Sequence, residues 1–93
     1  MIVGVLTLDL HFPHARSLKD KRKEVQSLKD RVRRSFNAAV AELEHQDVWQ
    51  LSRIGFVTLN AETSVVESVL DGILREVESH LNGIVAFAER RFL

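Results

Sequence analysis

The chain has 93 residues, of which 45% are apolar and 28% charged, with thirteen Lys and Arg balanced by thirteen Asp and Glu. Such a balance suits one small globular domain with a single core rather than a disordered tail. Cysteine is absent, which excludes a disulfide framework, a thiolate metal site and a cysteine nucleophile.

In chain order, Ile2, Gly4, Leu6, Leu8, Leu10 and Phe12 alternate with Val3, Val5, Thr7, Asp9 and His11. A period of two predicts a strand with one fully buried face. Pro13, which lacks a backbone donor, ends it. With Asp9 inside it and no basic leader before it, this apolar start reads as a strand rather than a signal peptide. No stretch approaches the ~20 apolar residues that span a bilayer. The expected setting is the cytoplasm, with no membrane partner.

Ser17 can cap a helix, with Asp20 three residues later in a capping-box-like pattern. Leu18, Val25, Leu28 and Val32 give that helix an apolar stripe and predict its end near Ser35. Phe36 to His45 is expected to be extended, with its apolar face changing near Ala41 as at a bulge or an edge strand. Leu51 to Ala61 is a third strand. Ser64 with Glu67 repeats the capping pattern, and Val66, Val69, Leu70, Ile73, Val77 and Leu81 predict a second helix that stops at Asn82-Gly83. Residues 84–93 form the last strand. This order of strand, helix, strand, strand, helix, strand predicts an α+β, ferredoxin-like sandwich: a four-stranded antiparallel sheet with both helices on one face.

Three segments carry a family resemblance: S-L-K-D-K-R at 17–22, F-N-A-A-V-A-E-L at 36–43 and H-Q-D-V-W-Q at 45–50. They resemble the signature segments of the YlxP-like proteins, small bacterial proteins of a domain-of-unknown-function family, and the similarity runs essentially end to end. The resemblance implies a ferredoxin-like fold. It also implies a translational setting, since genes of this family often lie among those for translation initiation and ribosome-binding factors. It implies no catalytic residue.

Charge is distributed unevenly. Residues 16–34 hold nine of the thirteen basic residues beside three acids, a local charge of +6, while the remainder carries −6. At 100° per residue, Lys19, Arg22, Lys23, Lys29, Arg33 and Arg34 fall on one flank of the first helix. Such a stripe can follow a phosphodiester backbone, making RNA or a ribosomal subunit the expected partner, with Arg16, Lys21 and Trp49 adding contacts, unless the Trp49 indole folds back to cap the end of the core. The competing reading is a solvated helix paired with the acidic second helix, through Glu67, Asp71, Glu76 and Glu78. Lys21 falls on the apolar side. It can snorkel from beneath the helix or join Arg16, Ser17 and the first-turn amides in an anion site, which Asp20 would oppose.

The topology should gather His11, His14, His45, His80 and Asp47 at the end where the first helix begins. Their spacing matches no metal motif, and no cofactor or small-molecule substrate is implied. Neither a Gly-rich phosphate loop nor a nucleophile–base pattern is present, so the expected role is non-enzymatic. A second function class remains: the open sheet face, expected to show Val3, Val5, Ile54, Phe56, Val85 and Phe87, would form a homodimer or dock another protein.

Overall fold

The computed structural model describes residues 1–80 and 83–93. Six elements follow in the order β1 (Ile2–His11), α1 (Leu18–Ser35), β2 (Ala39–Glu44), β3 (Leu51–Asn60), α2 (Thr63–His80) and β4 (Ile84–Phe92). The strands form one sheet in the order β2-β3-β1-β4, and every pair is antiparallel. Both helices pack on one face, giving the ferredoxin-like sandwich expected from the alternation of elements. Among the described residues, no helix is long and apolar enough to cross a membrane.

β1 is central because its inward residues need cover along their whole length. Leu6, Leu8, Leu10 and Phe12 are buried, and each such side chain contributes about 1.5–3 kcal/mol by leaving water. They meet Ile54 and Phe56 of β3, Val25, Leu28 and Val32 of α1, and Val66, Leu70, Ile73 and Val77 of α2 in one cluster. Gly4 lets α2 approach the sheet, since a Cβ there would collide with Val66 Cγ1 and press on Leu70.

α1 begins as its sequence predicts. Ser17 Oγ accepts the Asp20 amide at 3.1 Å. The Asp20 carboxylate reaches back to the Arg16 amide at 3.2 Å, so two acceptors already occupy this helix end. α2 differs by one residue: it starts at Thr63, which places Ser64 inside the first turn. Asn60 Oδ1 instead accepts the Glu62 amide and leads the chain into the helix. Leu81 and Asn82, invoked for the end of α2, lie outside the described residues.

Three assignments to the open sheet face are corrected. Ile54 and Phe56 are fully buried beneath the helices; the register pairs Leu8 with Ile54 and Leu6 with Phe56, so they share the inward side of β1. Val85 also packs against the core, because the β1–β4 register slips between Asp9 and Leu10 and pairs Leu10 with Val85. The open face instead carries Val3, Val5, Thr7, Gly55, Val57, Leu59, Phe87, Glu89 and Arg91, with the β2 bulge near Leu43 at its edge. Gly4→Ala should lower unfolding free energy by about 1–3 kcal/mol, the usual cost of overpacking a core. Urea denaturation measures this, and an unchanged midpoint would show that α2 does not sit closely on β1.

Candidate nucleic-acid interface

The first helix divides its bases between two environments. Lys21, one turn after the helix start, is fully buried with Val25, Leu28 and Val32. Its ammonium donates to Glu42 Oε2 at 2.9 Å, His45 O at 2.6 Å and Leu51 O at 3.2 Å, with Gln46 O more distant at 3.4 Å. Ser52 Oγ donates to the same Glu42 oxygen at 2.6 Å. The buried charge is thus paired and fully hydrogen-bonded, the condition for burying it without a large loss. Among the described residues, no buried side-chain polar atom lacks a partner.

This corrects two expectations for Lys21. Its ammonium points inward to the β2–β3 turn, so it neither snorkels to solvent nor offers itself to RNA. The anion site built from Arg16, Ser17 and Lys21 is likewise not assembled. Lys21 is engaged elsewhere, Ser17 Oγ caps the helix, and the Asp20 carboxylate stands where an oxyanion would bind.

The other bases face outward. Arg16, Lys19, Arg22, Lys23, Arg33 and Arg34 are exposed, and Lys29 is half-buried. Arg22 lies 3.8 Å from Asp47, a pair exposed at both ends. Arg33 donates to the Val40 carbonyl at 3.2 Å. Among the described residues, no ion pair joins these bases to the acids of α2. Asp71 pairs with Arg90 of β4, and Glu76 lies 3.7 Å from His80. Between Lys19 and Arg34 the stripe runs about 22 Å along the helix axis.

Trp49 is 44% exposed on the β2–β3 turn, where the backbone of His45 takes a positive φ of 68°. Lys21 holds the carbonyls of this turn, which fixes the platform beside the start of α1. An open cleft of about 670 Å³ lies at the same end, lined in part by Phe12, Pro13, His14, Asp20 and Lys23. His14 therefore joins the first turn of α1, while His80 borders a small recess with Glu24 and Arg31. Among the described residues, no three His, Asp or Glu side chains converge as metal ligands.

Sequence reasoning missed a charged group on the open sheet face. Arg53 Nε and Nη2 grip Asp9 at 2.6 and 2.9 Å, and its Nη1 reaches Glu44 at 2.8 Å. The readable signal was alternation: Asp9 and Arg53 both occupy outward positions of adjacent strands. Glu42 was missed too. A lysine at an apolar helix position calls for a carboxylate, and Glu42 is two residues from the buried Val40 on the strand beside it.

Lys21→Met should cost about 3–5 kcal/mol, because it strands a part-buried carboxylate and several carbonyls. Glu42→Gln should cost less, about 1–2 kcal/mol, since the carbonyl acceptors of Lys21 remain. Equal and negligible losses in chemical denaturation would contradict the buried network. Hydrogen bonds from Arg53, reinforced by its charge, hold the Asp9 carboxyl below its ordinary value despite partial desolvation. That contribution is present above the ordinary carboxylate value and is lost as pH falls through the depressed one. Asp9→Asn should therefore reduce stability at neutral pH, with the difference from the parent vanishing in strong acid; a pH-independent difference would contradict the linkage.

Comparison with known proteins places this geometry in a family. The family described as "Protein of unknown function (DUF503)" matches residues 3–90. The uncharacterized protein YlxP of Bacillus subtilis (strain 168) is 31% identical over 78 residues, covering 84% of this chain and 85% of that protein. Among solved structures, a de novo designed protein with ferredoxin fold, LFR1 1, matches with a TM-score of 0.58 at 16% identity, over 99% of this chain and 84% of that one. The de novo designed protein Foldit4 matches with a TM-score of 0.57, also at 16% identity, over 100% and 97% of the two chains. These two likenesses concern the fold alone. With the family matched along nearly its whole length, the chain belongs to the DUF503 family, whose function is unknown.

Proposed function

We propose that the protein is a non-enzymatic RNA-binding accessory factor of translation or ribosome assembly, contacting RNA phosphates with the outward bases of α1. The observation that carries this reading is the absence of carboxylate partners for Arg16, Lys19, Lys23, Lys29, Arg33 and Arg34 among the described residues. Had α2 neutralised the stripe, stability and solubility would explain the bases. Of its acids, Asp71 pairs with Arg90 and Glu76 lies beside His80 instead. Exposed ion pairs contribute only ~0–1 kcal/mol each, so an unpaired stripe of like charge gains nothing for the fold and is free to release counterions from a polyanion.

The translational setting that the family resemblance implies narrows the polyanion to RNA. Trp49, exposed on the turn held by Lys21, gives a neighbouring surface for base stacking. Two central strands of the open face lack the aromatic residues that RNA-recognition sheets use, since Val3, Val5, Val57 and Leu59 stand there. The helix therefore supplies the proposed contact, and affinity should depend on charge more than on sequence.

Binding to a structured ribosomal RNA fragment across a salt series tests the proposal. Replacing Arg22, Lys23, Lys29 and Arg33 together by Gln should weaken binding and reduce the slope of log affinity against log salt by about 3, near 0.7–0.9 for each phosphate that is no longer neutralised. Trp49→Ala should weaken it further by roughly tenfold, within the range of a single base–aromatic stack. Equal affinity of parent and fourfold variant, or binding insensitive to salt, would overturn the assignment.

A further inference from the structure

β4 is an edge strand on which most residues are exposed, including Phe87 and Phe92. Long exposed edges normally invite pairing and are blunted by charge or covered. The direction of the free backbone groups on β4 can be read from its partner. Val3 and Leu93 exchange both backbone hydrogen bonds, at 3.2 and 2.8 Å. In an antiparallel ladder such pairs alternate with non-bonded ones. Hence residues 87, 89, 91 and 93 direct their amides and carbonyls toward β1, and residues 88, 90 and 92 direct theirs outward.

We propose that β4 pairs with β4 of a second copy, antiparallel about a two-fold axis at Arg90, giving a dimer with a continuous eight-stranded sheet. Charge selects both the occupant and the register. Glu89 and Arg91 lie on the open face, opposite Thr7 and Val5; among the described residues neither makes an ion pair within the chain, and the charge of Arg53 acts on Glu89 only at longer range. With Arg90 on the axis, Glu89 stands opposite Arg91 of the other copy, and Arg91 opposite Glu89, at the closely spaced non-hydrogen-bonded positions of the ladder. A shift of the axis to Glu89 sets two glutamates face to face, and a shift to Arg91 sets two arginines face to face.

The same register gives the exposed apolar residues of the strand partners. Phe87 faces Leu93 across the axis on the open face, and Ala88 faces Phe92 on the helix face. The two Arg90 side chains, which meet at the axis, are each already paired to Asp71 of their own α2. Isologous contact of this kind requires a self-complementary patch, and residues 87–93 form one. α1 packs against β2 at the far edge of the sheet, so its bases stay outward in both copies. The dimer is thus independent of the RNA reading.

Sedimentation of the intact chain, with circular dichroism to verify folding, tests this directly. The parent should dimerise with concentration. E89R and R91E should each weaken dimerisation at least tenfold, on the order expected when attractive cross-strand pairs turn repulsive at two symmetric places. An equimolar mixture of E89R and R91E should recover a heterodimer, because opposite charges then face each other again. Ala88→Pro, which removes an outward donor as edge strands tolerate, should leave a folded monomer. A parent that stays monomeric at millimolar concentration would overturn the proposal, as would a dimer that survives Ala88→Pro. Failure of the two folded charge variants to associate on mixing would overturn the register.

Discussion

The ammonium of Lys21 is the constraint around which one end of this fold is arranged. A charge removed from water has to be met from several directions at once. Here Glu42 supplies the counter-charge, His45 and Leu51 supply carbonyls from the two sides of the β2–β3 turn, and Ser52 steadies the carboxylate. The start of α1, the end of β2 and the turn cannot move independently while those bonds persist. The three segments that carry the family resemblance are the ones that meet there: 17–22 brings the lysine, 36–43 the carboxylate, and 45–50 the carbonyls. The segments of the family resemblance thus coincide with one structural knot in this chain.

That arrangement has consequences for charge. With Lys21 turned inward, the adjacent Lys19, Arg22 and Lys23 fall on the outward side, since residues on either side of an inward helix position project 100–200° away from it. Several acids outside the helix have other work: Asp71 holds Arg90, and Glu44 joins Asp9 on Arg53. The neutral total charge is therefore the sum of an acidic remainder, part of it locally paired, and a basic helix most of whose outward charges have no carboxylate partner among the described residues. It is this asymmetry, rather than the net value, that bears on partners.

Much of the fold was legible in the sequence. β1 alternates cleanly because its helix-facing residues are all apolar and its outer row includes Thr7, Asp9 and His11. The Ser17–Asp20 cap could be read because its groups are local. β3 was misassigned in phase, since Val57 and Leu59 on one side rival Ile54 and Phe56 on the other; only the pairing with β1 decides between them. Val85 was misplaced because a bulge shifts register by one residue, and every side chain beyond it changes face. Lys21 was recognised as anomalous from its helical angle. Its partners were not found, because they lie 21 to 30 residues away on another element and no local spacing encodes them.

The central claim is that one lysine of α1 builds the scaffold while its neighbours face solvent, where we propose that they bind polyanion. Direct NMR observation of the lysine ammonium groups during an RNA titration tests it most sharply. The Lys21 ammonium protons should exchange slowly with water, and their resonance should stay in place as RNA is added. Those of Lys19, Lys23 and Lys29 should exchange fast and shift in a salt-dependent way. A Lys21 ammonium that exchanges as fast as its neighbours and moves with them on RNA addition would contradict the account.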